Sequence, residues 1–139
     1  MKSVILFAGV LACTSLRAET VSPADEIASR SGLPASEVAA LLENCDANQT
    51  SMNFCAWRDR LVAEQNLHLV VLRKEAESPA CRVRLEKQVS KWTRQRDRVC
   101  GSQSRREWGD GSMRQAAQAT CVTKETERLI EKVSAFHCR

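Results

Sequence analysis

The sequence predicts an all-α protein: a small, disulfide-stapled helical bundle of three long helices preceded by a helical hairpin. Three observations predict it. Apolar residues recur at three- and four-residue intervals over long stretches, and nothing alternates with period two over a useful length. Tyr is absent and Gly is scarce among the 139 residues. Six cysteines, Cys45, Cys55, Cys81, Cys100, Cys121 and Cys138, follow a leader that resembles an export signal. Six cysteines in a short exported chain read as a disulfide framework, although their pairing stays open.

The leader comes first. Lys2 precedes an apolar run over residues 4–12, too short to span a bilayer and typical of a secretory signal. Two processing sites compete. Leu16-Arg17-Ala18 predicts cleavage before Glu19, and Val10-Leu11-Ala12-Cys13 predicts a lipidated N-terminus on Cys13. The domain organisation is therefore a signal over residues 1–18 (1–12 for a lipoprotein), a hairpin over 19–44 and a helical domain over 45–139. The expected location is periplasmic or secreted, or membrane-anchored through Cys13.

In the hairpin, Ser22-Pro23 opens a helix with proline at its first position, and Gly32 closes it. A second short helix over residues 36–43 carries Val38, Leu41 and Leu42 on one side. The pair also fits a helix-turn-helix spacing, but its second helix holds no base-reading Arg, Lys, Gln or Asn. It reads as a structural corner.

The second unit is a helix over residues 50–76, capped by Thr50 or Ser51. Its expected buried side holds Met52, Cys55, Val62, Leu69 and Leu72, flanked by Leu61 and Val70. Ser78-Pro79 breaks the chain and starts a third helix over residues 80–100. There Cys81, Leu85, Val89, Trp92, Arg96 and Val99 share a face. An Arg inside an apolar stripe needs a partner, because an unpaired buried guanidinium costs several kcal/mol. Residues 101–112 read as a polar, glycine-containing loop. Ser112 is the expected cap of a last helix over residues 113–136, with Val122, Thr126, Leu129, Val133 and Phe136 buried. Few aromatics serve this core, and disulfides make up the deficit.

Charge and composition exclude several functions. The encoded chain carries +4; without Lys2 and Arg17 the balance is 19 basic against 17 acidic residues, or +2. That is no nucleic-acid footprint. The only histidines, His68 and His137, sit in no nucleophile–base context, and no CxxC pair or glycine-rich phosphate loop occurs. The expectation is a non-enzymatic binding protein without cofactor or metal. The spacing of Cys45 and Cys55 resembles that of helical-hairpin proteins of the mitochondrial intermembrane space, but it does not repeat in the later cysteines.

Cys45 with Met52-Asn53-Phe54-Cys55-Ala56, then Glu64-Gln65-Asn66-Leu67-His68, then Trp92, Arg96, Asp97 and Cys100, then Gly111-Ser112, Cys121, Thr126 and Arg128 form an ordered set. That set resembles the LprI-type lysozyme-inhibitor family of small exported bacterial proteins. Cys45 and Met52-Asn53-Phe54-Cys55-Ala56 match its opening, with a shorter spacing between the cysteines. Glu64-Gln65-Asn66-Leu67-His68 matches an acid-x-x-Leu-Asn element, with His68 in place of Asn. Trp92, Arg96, Asp97 and Cys100 match a helix motif in spacing, although the family's Gln is displaced to Gln88. Gly111-Ser112, Cys121, Thr126 and Arg128 match the closing pattern, with the Arg one residue early. The resemblance spans residues 45–130 and leaves out 19–44, Cys81 and Cys138.

The resemblance implies bridges Cys45–Cys55 and Cys100–Cys121, leaving Cys81–Cys138 as an extra staple. It implies that Arg96 pairs with Glu64, or with Asp97 and a backbone carbonyl, in a structural role shared with Trp92. It further implies inhibition of lysozyme by occluding its cleft, with lysozyme as the protein partner. The stretch with suitable chemistry is Arg105, Arg106 and Trp108: guanidinium forks for carboxylates and an aromatic for a sugar subsite. The alternative is an envelope or secreted interaction protein of the same fold that does not inhibit lysozyme.

Overall fold

A computed structural model describes residues 21–137 as five α-helices. They are α1 (Pro23–Ser31), α2 (Ala35–Glu43), α3 (Gln49–Glu77), α4 (Arg82–Trp108) and α5 (Met113–Ser134), with a short 3-10 turn (Pro79–Cys81) before α4. No strand occurs among the described residues. The leader, Cys13 and Cys138 lie outside them.

The hairpin forms as its punctuation dictates. Pro23 occupies the first turn of α1, and Gly32 ends it in the left-handed region at φ 73°, its N–H bonding Ala28 O at 3.0 Å. Ile27 and Val38 are fully buried and meet Leu61 of α3, with Phe54 and Trp57 packed against them. The hairpin is thus seated on the first half of α3.

Helix α3 starts one residue earlier than expected and under a different cap. The Asn48 side chain accepts the Ser51 N–H at 2.9 Å, so neither Thr50 nor Ser51 is the cap. Ser51 is already inside the first turn and buried. The expected buried side also needs correction. Val62, Leu69 and Leu72 are 40%, 45% and 47% exposed, whereas Cys55, Ala63 and Leu67 are buried. The reason is close packing of α3 on α5, whose contact face is built from small residues such as Ala116 and Ala119. A periodicity count weighted by large apolar residues passes over Ala63.

Helices α3 and α5 run parallel. Met52 and Met113 share a recess at one end, and Lys74 Nζ donates to Ser134 O at 3.1 Å at the other. Helix α4 returns antiparallel to both, as Cys100–Cys121 and the edge-to-face pair of Trp92 and Phe136 (6.5 Å) require. Helix α5 packs along both neighbours, while α3 and α4 touch only locally. Leu67, Leu85, Leu129 and Val133 form the core at the Trp92 end. The stripe Val122, Thr126, Leu129 and Val133 is buried as expected, with Phe136 against it.

Helix α4 does not stop at Cys100. It runs to Trp108, so most of the expected loop is helical. Gly101 keeps a negative φ and sits against α5, where a Cβ would come no closer than 3.8 Å to the Gln118 side chain. The Gln103–Glu107 hydrogen bond (3.0 Å) and buried Ser104 carry the helix onward. The true stop is Gly109, at φ 54°. Ser112 makes no side-chain cap; a tight turn closes with Gly111 N–H on Trp108 O at 2.9 Å. On the same helix Val99 is 51% exposed and Cys100 fully buried, so the buried stripe steps to Cys100.

The two glycines should therefore respond oppositely to alanine. Gly101→Ala relieves a helix-interior glycine without a clash and is expected to stabilise by about 0.5–1 kcal/mol. Gly109→Ala forces a Cβ into a positive-φ conformation and is expected to destabilise by about 1 kcal/mol or more. Urea unfolding of both variants checks the pair of signs.

Candidate functional site

The bundle is tied at mid-height by Arg96 of α4, whose side chain is only 4% exposed. Its Nη2 donates to Glu64 Oε1 of α3 at 3.1 Å, and its Nη1 donates to Thr126 Oγ1 of α5 at 2.7 Å. Its Nε donates to the neighbouring Asp97 Oδ1 at 2.9 Å. The third partner is thus a hydroxyl of α5 and not the expected backbone carbonyl. Thr126 Oγ1 donates in turn to Val122 O at 2.6 Å. Glu64 Oε1 also accepts from Arg60 Nε at 3.3 Å. Among the described residues no buried side-chain N or O is left without a partner. Trp92 lies beside this network with Lys132 Nζ over its ring, 5.9 Å from the centroid.

The cystines flank the network at the α5 N-terminal end. Cys45–Cys55 closes the α2–α3 loop onto α3, with Cα atoms 5.7 Å apart, and Cys100–Cys121 joins α4 to α5 at 5.6 Å. The expected Cys81–Cys138 bridge ends on a residue outside the described range; Cys81 itself is buried.

Arg105 and Arg106 occupy the last turns of α4, not a loop. They line a recess of about 510 Å³ together with Arg98, Arg114 and Gln118. Arg114 is held by Asp110 at 2.5 Å. Among the described residues Arg98, Arg105 and Arg106 have no acid at ion-pair distance, and Asp97, the acid on the rim, is engaged by Arg96. Trp108 is 44% exposed and faces a different recess, over Met113 and the Cys45–Cys55 bridge. The arginines and the tryptophan therefore sit at the same end of the bundle on separate faces.

Sequence reasoning missed a third hollow. Phe54, Trp57 and Arg60 of α3 face Gln115 and Gln118 of α5 across a cleft of about 350 Å³. Gln118 borders both this cleft and the arginine recess. Arg98 and Arg105 lie seven residues apart, a helical-face signal hidden once residues 101–112 are read as loop. Phe54 and Trp57 reveal their position only once α5 is placed beside them. Among the described residues no group of His, Cys, Asp or Glu is arranged to hold a metal. No helix among them is long and apolar enough to cross a membrane.

These features define a class: small all-α bundles fastened by cystines, with a cationic, recessed end. Within that class the chain belongs to the family described as lysozyme inhibitor LprI, which matches residues 43–132. The match contains both cystines, Arg96 and all three of its partners, and it leaves α1 and nearly all of α2 outside. Neither curated proteins nor solved structures provide a match.

The Arg96 network makes a quantitative expectation. Thr126→Val leaves a buried guanidinium N–H without an acceptor and should cost about 1–3 kcal/mol. Arg96→Met also removes the tie to Glu64 and should cost a similar amount. Because both variants break the same contact, the double variant should cost less than the sum. Denaturant titration of the four proteins measures the coupling; strict additivity would refute a shared contact.

Proposed function

We propose that the protein is an exported, non-enzymatic inhibitor of a lysozyme that presses its α4–α5 tip into the enzyme's sugar cleft. Family membership supports the target class. The observation that carries the reading is the set of unneutralised guanidinium groups of Arg105 and Arg106 on a tip fixed by Cys100–Cys121. Glycoside hydrolases of this kind cut with two carboxylates at the floor of the cleft. Guanidinium forks satisfy carboxylates in a bidentate manner. Trp108, on the adjacent face, supplies an aromatic surface of the kind that anchors interfaces.

Recognition in this reading is short-range. A mature balance of +2 gives no long-range attraction toward a basic enzyme. Export supplies the oxidising compartment in which the cystines persist. Processing before Glu19 gives a soluble protein, and processing at Cys13 gives a lipid-anchored one; the mass of the mature chain distinguishes them.

The test is a lysozyme lysis assay with oxidised protein beginning at Glu19. Wild-type protein should slow lysis, and Arg106→Ala with Trp108→Ala should weaken inhibition tenfold or more, about 1.4 kcal/mol. Unchanged inhibition by the double variant would remove the tip from the contact. The same weak net charge favours a second reading, an envelope interaction protein of this fold without inhibitory activity; wild-type protein that never slows lysis would select it.

A further inference from the structure

The cleft beside Trp57 and the arginine recess meet at Gln118, and we infer that together they form a binding groove for an acidic oligosaccharide. The chemistry changes along the groove. At one end Phe54 and Trp57 stand edge to face at 6.0 Å over the small residue Ala119. An aromatic wall of this kind offers an apolar surface to one side of a sugar ring. Three carboxamides line the same hollow, and one of them, Gln118, also borders the arginine recess. Gln115 and Gln118 have no hydrogen-bond partner among the described residues. Asn53 uses its Oδ1 to accept from Gln49 Nε2 at 3.2 Å, which leaves its NH₂ open. Carboxamides both donate and accept, as hydroxyl and acetamido groups require. At the other end, Arg98 and Arg105 offer guanidinium groups without acid partners.

The dimensions suit a chain of a few sugar rings. The two hollows measure about 350 and 510 Å³, each within the range of about 300–1,000 Å³ typical of small-ligand sites. Helix packing keeps the groove open, because α3 and α4 touch only locally while α5 forms the floor between them. Its walls are also pre-set. Arg60 at the aromatic end shares Glu64 Oε1 with Arg96, so the groove edge is tied to the central network. Gly101 lines the arginine recess beside Gln118, whose Nε2 would stand 3.8 Å from a Cβ placed there. The ordered sequence of aromatic, amide and guanidinium groups selects a saccharide with carboxylates over a neutral one. A protein with this groove holds an acidic glycan through Arg98 and Arg105, and Arg105 is shared with the proposed contact to the enzyme.

The experiment contains no lysozyme, so its outcome is independent of the inhibitor reading. Oxidised, full mature protein is titrated with a soluble tetrasaccharide of alternating N-acetylglucosamine and N-acetylmuramic acid, and separately with neutral chitotetraose. Two-dimensional NMR follows the Trp57 indole and the Gln115 and Gln118 side-chain amides. The acidic tetrasaccharide should shift all three and bind at least tenfold more tightly than chitotetraose. Arg98→Gln with Gln118→Ala, both outside the buried core, should abolish that preference while the melting temperature stays unchanged. Equal affinity for the two sugars, absence of binding, shifts confined to other residues, or a preference that survives the double variant would each overturn the proposal.

Discussion

One guanidinium holds the three long helices in register. Arg96 reaches partners on both α3 and α5 while standing on α4. Burying it is costly unless it is paired and hydrogen-bonded, and here each of its three nitrogens has a partner among Glu64, Asp97 and Thr126. Removing one partner from such a network is costly, because it strands a buried charge. Leucine and valine stripes tolerate sliding by a turn; a fork that needs a hydroxyl on one side and a carboxylate on the other does not. The small-residue contact between α3 and α5 complements this constraint, because Ala63, Ala116 and Ala119 bring the backbones near enough for Arg96 to span both.

The end of the bundle inherits its shape from that registration. With α4 locked at Arg96 and again at Cys100–Cys121, its last two turns project past the bridge to Trp108. Arg105 and Arg106 are thereby displayed from a regular helix, and Trp108 is turned toward Met113 and the other cystine. A functional surface on helices is better defined than one on a loop. The exposed cations stand on a rigid support and, among the described residues, have no acid at ion-pair distance, as the proposed contact with an external anion needs.

Much of the architecture was legible in the residues. Pro23 and Gly32 delimit α1, and the α5 stripe follows from Val122, Thr126, Leu129 and Val133. The two cystines and the helical class agree with what the family resemblance implied. The misreadings share a cause. Ala63 and Gly101 are buried or central because a neighbouring helix comes close, and close approach is a property of pairs of helices that no single segment records. Gly101 looks like a terminator until α5 is placed against it; Gly109, with φ 54°, is the real one. The Trp57 cleft escaped notice for the same reason, since half of it belongs to a helix about sixty residues away.

The apolar interior is divided. Ile27, Val38 and Leu61 form one cluster under the hairpin, and Leu67, Leu85, Leu129 and Val133 form another at the opposite end, with the polar Arg96 knot between them. Two apolar clusters separated by a polar knot need not open together, because local opening costs follow the contacts each region makes. The hairpin stands on two nine-residue helices, too short to hold together without the α3 face they cover, whereas Leu129 lies within a helix of 22 residues. Phe54 and Trp57 pack against the hairpin cluster while Arg60, one turn on, is tied through Glu64 to the central knot, so the wall beside them is braced from both halves of the molecule.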